Sequence, residues 1–180
     1  MRKVHLLYSL LFSLVCCASV AGQRPTSILD ALGKTEGEKI TIEMDLTTVI
    51  AQKKSDTYFP AAIFTDDGAA YKVEVRPRGK FRRKNAVYPP LKLKFKKKEL
   101  VSVGLDTLNE IKLVLPCYDN NLGDELVIRE YLAYKMFELL SPAAVRAKLI
   151  RLTIKDTHVE KSKKPCLPSW LKTRRKLPQG

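Results

Sequence analysis

Histidine is nearly missing from this chain. His5 and His158 are the only two, and no group of Cys and His has metal-ligand spacing. That leaves little for a histidine-dependent triad or a zinc centre. No glycine-rich loop ends in GKS or GKT, so P-loop chemistry has no support. Long hydrophobic runs are also scarce. The one apolar run, Val4–Val15, is too short for a comfortable membrane span. Cysteine is limited to Cys16, Cys17, Cys117 and Cys166, of which the last two could pair in an oxidising compartment. Internal repeats and low-complexity tracts are absent.

What is abundant is positive charge. The 180 residues carry a net +14, which points to an anionic partner. The charge is uneven. Val159–Gly180 holds seven Lys/Arg against one Glu, and Arg2 with Lys3 adds two more, so about +6 remains for the rest. That remainder is ordinary for one domain, and it weakens any argument for nucleic acid from the overall charge. A hydrophobic content of 45% suffices for a core.

Met1–Gly22 reads as a secretory signal. Arg2 and Lys3 are the charged start, Val4–Val15 the apolar centre, and Ser19-Val20-Ala21 the small residues before cleavage. The expected location is therefore secreted, periplasmic or cell-envelope. A lipoprotein reading through Cys16 or Cys17 is weaker, because Val15 and Cys16 are not the small residues that usually precede such a cysteine.

Beyond a polar lead-in over 23–38, hydrophobic alternation dominates. Ile40, Ile42 and Met44 mark a strand over Lys39–Asp45, and Leu46–Gln52 a helical turn. Tyr58–Thr65 and Tyr71–Arg76 are strands around Asp66-Asp67-Gly68, a hairpin signal. Leu91, Leu93 and Phe95 alternate with Lys92, Lys94 and Lys96, which predicts a half-buried strand with a cationic face. Ile111, Leu113 and Leu115 mark another strand. Leu126, Ile128, Leu132, Met136, Leu139 and Leu140 form an apolar stripe on a helix from about Gly123 to Leu140. Val145–Ile154 is a last strand. The expected class is α+β, a mainly antiparallel sheet with one long helix packed on it.

The chemistry concentrates between Val73 and Lys98. An Arg-Gly turn, Arg78-Gly79, opens a basic loop that includes Lys80, Arg82, Arg83 and Lys84. A glycine there permits close backbone approach to an anionic group. The plain alternative is a solvated basic loop, and for Lys92 and Lys94 it is the wet face of a sheet. Glu130 reads first as a surface salt bridge on the helix, and Asp119 as a turn residue bonded to its own backbone. The pattern then stops. Residues 157–180 have no period and several prolines, as a disordered basic tail would. With synonymous codons chosen for Pro165–Gly180, a frame shifted by two bases spells MLAFLVEDEEEVAAR, so a frameshift near Thr157–Lys164 is a further expectation.

VEVRPRGKFRRKNAVYPPLKLKF, LNEIKLVLPCYDNN and ELVIREYLAYKMFELLSPAAVRAKLIRLTI together resemble the N-terminal part of the spore coat protein H kinase (CotH-like) family. The likeness is to the version in secreted proteins of Bacteroidetes-type bacteria, and it covers about Tyr58 to Asp156. The resemblance implies the small lobe of an atypical protein-kinase-like fold over 39–156, and a parent that transfers phosphate from ATP, with Mg²⁺, to secreted proteins. It assigns Arg78, Gly79 and either Lys92 or Lys94 to the nucleotide phosphates, with Glu130 orienting that lysine. Nothing in this sequence matches the family's catalytic half, so the chain is expected to be truncated and inactive by itself. The rival reading is a non-catalytic extracellular module whose Arg78–Lys84 loop binds anionic polymers or a protein partner. Nucleic acid is not expected, because no aromatics interleave with the basic loop.

Overall fold

The computed structural model describes residues 25–141, 145–159 and 163–174. The proposed signal over 1–22 lies outside the described residues. Seven strands carry the fold: β1 (Glu38–Met44), β2 (Phe59–Thr65), β3 (Ala70–Pro77), β4 (Leu91–Lys94), β5 (Glu110–Val114), β6 (Val145–Asp156) and β7 (Lys163–Arg174). They close into a barrel in the order β1-β2-β3-β4-β5-β7-β6. Every pairing is antiparallel except that of β1 with β6. The expected α+β class and largely antiparallel sheet are present. The sheet is closed rather than open, which removes its edges.

Alternation sets the inside of the barrel. Ile40, Ile42 and Met44 of β1 point inward, with Leu91 and Leu93 of β4, Ile111 and Leu113 of β5, and Leu152 and Ile154 of β6. The Asp66-Asp67-Gly68 turn joins β2 to β3, with Gly68 at φ +84°, where residues bearing a Cβ are strained.

Among the described residues, five helices connect or cover the strands: α1 (Ile28–Leu32), α2 (Leu46–Ala51), α3 (Arg82–Asn85), α4 (Lys97–Ser102) and α5 (Asn121–Leu140). The first corrects the reading of 23–38 as a polar lead-in. Ser27 caps α1 by accepting from the Asp30 amide, and Ile28, Leu29 and Leu32 join the barrel core. Short as it is, α1 is held by burial, and Arg146 of β6 ties down Asp30 with one bond of 3.0 Å.

The tail also departs from expectation. Residues 163–174 of the supposedly disordered segment form β7, between β5 and β6. On β7, Leu171 enters the barrel core and Trp170 takes the other face, fully buried. There Trp170 joins Val114, Ala147, Val127 and Tyr131 in a second, smaller core beneath α5. The Tyr134 and Trp170 ring centroids are 4.7 Å apart.

A third correction concerns α5. Its start was foreseen within two residues, but the predicted apolar stripe is not the buried one. Gly123, Val127 and Tyr131 pack inward, whereas Leu126, Leu132, Met136, Leu139 and Leu140 are exposed.

Candidate anion-binding site

Pro77 ends β3, and the chain turns at Arg78-Gly79. The Arg78 amide donates to the Pro90 carbonyl at 2.8 Å, which closes the base of the loop. Gly79 sits at φ +86° with open space where a Cβ would stand. Its glycine is required by backbone conformation rather than by crowding. The Arg78 side chain is half-buried, and burial lowers its pKa. Glu130 and Arg82 both act on it electrostatically, yet neither hydrogen-bonds to it. Among the described residues no ion pair or side-chain hydrogen bond to Arg78 is formed.

Beside this turn lies a cleft of about 500 Å³ lined by Phe81, Arg82, Cys117, Tyr118, Leu126 and Glu130 among others. Two local structures shape it. The Asn120 side chain caps α5 by accepting from the Gly123 amide at 3.0 Å. Gly123 packs so closely that a Cβ would lie 2.2 Å from the Tyr118 carbonyl oxygen. The start of α5 is therefore pressed against the loop after β5. Arg82 of α3 bridges the cleft to Glu130 of α5 at 2.8 Å. Burial disfavours the Arg82 charge, but its bond to the Glu130 carboxylate and that group's negative charge outweigh this and raise the pKa. Cys117 is a free thiol here, and the side chain of Cys166 lies outside those described.

The sequence-predicted site residues separate into two groups. Arg78, Gly79 and Glu130 belong to the turn and the cleft. Lys92 and Lys94 stand on the outer face of β4 with other partners: Lys92 pairs with Glu110 at 2.8 Å, and Lys94 with Glu74 at 3.8 Å. The Lys94 ammonium also lies 5.1 Å from the Tyr58 ring centre. Glu130 thus grips Arg82, not a β4 lysine. The reason is topological: α5 packs over β6 and β7. Asp119 accepts from the Tyr88 hydroxyl at 3.1 Å, where a local backbone bond was expected.

Sequence reasoning missed a cationic row. Arg76 is opposite Lys92, Lys92 opposite Lys112, and Lys112 opposite Lys172, across four neighbouring strands. Like charges in such register destabilise a sheet. Acidic and aromatic neighbours offset this. Asp56 lies 3.2 Å from Arg76, and Tyr58 faces Arg76 at 5.2 Å. Lys172 is buried, bonds the Tyr134 hydroxyl at 2.7 Å and lies over the Trp170 ring at 4.6 Å. Alternation alone could have placed Arg76 and Lys92 outward. Lys172 was invisible because β7 was.

Among the described residues, no group of three or more Cys, His, Asp or Glu could hold a metal ion, and no helix is long and apolar enough to cross a membrane. The chain matches no protein-family model, and no curated protein is significantly similar to it.

Proposed function

We propose that this chain binds the phosphate groups of an anionic ligand at the Arg78-Gly79 turn, and that it is the nucleotide-facing lobe of a secreted CotH-kinase-like protein. The half-buried, unpartnered guanidinium of Arg78 carries the reading. A buried guanidinium is ordinarily matched by a carboxylate, a phosphate or a carbonyl. Arg78 is half-exposed and has no bonded partner of that kind among the described residues, so its guanidinium is open to a ligand oxygen, and the glycine after it leaves room for one to approach the backbone. Arg82, paired with Glu130, lies within electrostatic range of the same turn. Phosphoryl transfer also needs carboxylates for Mg²⁺ and a base for the hydroxyl. The CotH resemblance assigns those to a later half, so this chain is proposed to bind without catalysing transfer.

A second reading, an extracellular module for anionic polymers, is favoured by Arg76, Lys92 and Lys112, which stand opposite one another on successive strands, while Lys172, the next in register, is buried. A row of cations on successive strands suits an extended polyanion better than a compact triphosphate.

Calorimetric titration with Mg·ATP, pyrophosphate and a sulfated polysaccharide separates the two. The first reading expects ATP and pyrophosphate to compete, with affinity falling about ten- to a hundredfold in Arg78→Ala, the worth of one charge-assisted bond. Unchanged nucleotide affinity in that variant would sink it. Affinity that follows salt alone, whatever the anion, would leave the polymer reading in its place.

A further inference from the structure

The outer side of α5 is strongly apolar for an exposed surface. Leu132, Met136, Phe137, Leu139 and Leu140 are each more than half exposed, and Leu139 reaches 87%. Together they offer apolar area on the order of 600 Å², which is what one partner contributes to a specific interface at the small end of the range. A monomer seldom shows an apolar patch beyond about 300–600 Å².

From the area and charge of this face, we infer that it is the interface of a symmetric dimer, in which α5 packs antiparallel on α5 of a second copy. The charge pattern selects a second copy. Between Leu132 and Leu140 the only charged side chains are Lys135 and Glu138. They bond each other at 2.7 Å, and Glu138 also accepts from the Ala147 amide at 2.6 Å, so both are drawn toward the barrel. The outward face of this half is therefore uncharged on a chain of net charge +14, and two copies can meet there without apposing cations.

The helix ends complement each other too. The last turn of α5 has no basic residue to balance the partial negative charge of its terminal carbonyls. Arg129, exposed and in an i,i+4 ion pair with the exposed Glu125 at 2.6 Å, lies seven residues before Met136, hence on the same face. Antiparallel packing about a two-fold axis near Tyr134–Lys135 brings each Arg129 to the partner's helix end. One contact then serves both copies, as an isologous interface requires.

Sedimentation equilibrium on the purified chain, from about 1 to 200 µM, tests this. The expected result is a monomer–dimer equilibrium. Met136→Lys/Leu139→Lys, altering exposed side chains only, should give a monomer throughout with unchanged circular dichroism. Arg129→Glu should weaken the dimer about tenfold, the effect of reversing a charge at a helix end. A monomer at every concentration, a higher or undefined mass, or a dimer surviving the double substitution would each overturn the proposal.

Discussion

Leu93 on β4 and Leu139 on α5 are the same side chain in opposite settings, 1% and 87% exposed. The strand residue is inward because a closed barrel has only one inside. Its position two residues from Leu91 commits both to that face. The helix residue had no such constraint. A helix can turn any of its faces to a sheet, and α5 turns the one with the small and aromatic residues. Gly123 lets the helix approach the Tyr118 loop, while Val127 and Tyr131 meet Trp170. Packing against the sheet face that carries Trp170 prevailed over the longer aliphatic stripe. Periodicity shows which residues share a face of a helix, but not which face meets a neighbour.

The comparison can be broken at Trp170, which anchors the small core under α5. Trp170→Ala should destabilise the chain by about 3–5 kcal/mol, as large-to-small changes at full burial do. Urea unfolding followed by circular dichroism reads this directly. A loss below about 1 kcal/mol would mean that β7 does not hold α5. Trp170 is also the only tryptophan, so its emission should be blue-shifted in the native state and red-shift on unfolding.

A smaller effect is expected where β6 meets α2. Asp156 is buried and accepts from the Leu46 amide at 3.0 Å, the Thr47 hydroxyl at 2.7 Å and the His158 amide at 3.0 Å. Burial pushes its carboxyl up, but these bonds outweigh burial and hold the pKa below its usual 3.8. A folded pKa below the unfolded one stabilises the fold above pH 3.8, and that contribution is lost as pH falls through the folded value. Asp156→Asn should therefore lose roughly 1–3 kcal/mol near neutral pH and much less in strong acid. An equal loss at both pH values would show that shape, not charge, matters there.

The smallest expected change is a gain. Ser169 is fully buried on the barrel side of β7, opposite Ile150, with no hydrogen-bond partner for its hydroxyl. Ser169→Ala should stabilise by about 1 kcal/mol, because an orphaned buried hydroxyl costs about that much. A loss instead would mean that the hydroxyl has a partner within the barrel.

Part of the site was legible for the same reason as the strands. Arg78-Gly79 announces a turn after an alternating strand, and the turn is there with the left-handed glycine it needs. The pairing of Glu130 could not be read. Its choice between Arg82 and a β4 lysine depends on where α5 lies over the barrel, and no local pattern encodes that position. The cationic row was hidden likewise, since register across four strands is a property of their pairing.

By itself, the sequence determined the local elements: alternating strands, the Asp66-Asp67-Gly68 hairpin, and a helix ending near Leu140. Each follows from contacts within a few residues, through side-chain period or glycine conformation. Only the tertiary structure decided that α1 is core, that β7 completes the barrel, and that α5 turns its aliphatic side outward. Those outcomes come from closing one sheet on itself. Closure buries whatever segment fits the remaining space, so Ile28 and Trp170 are enclosed although their own surroundings in the chain are polar or irregular.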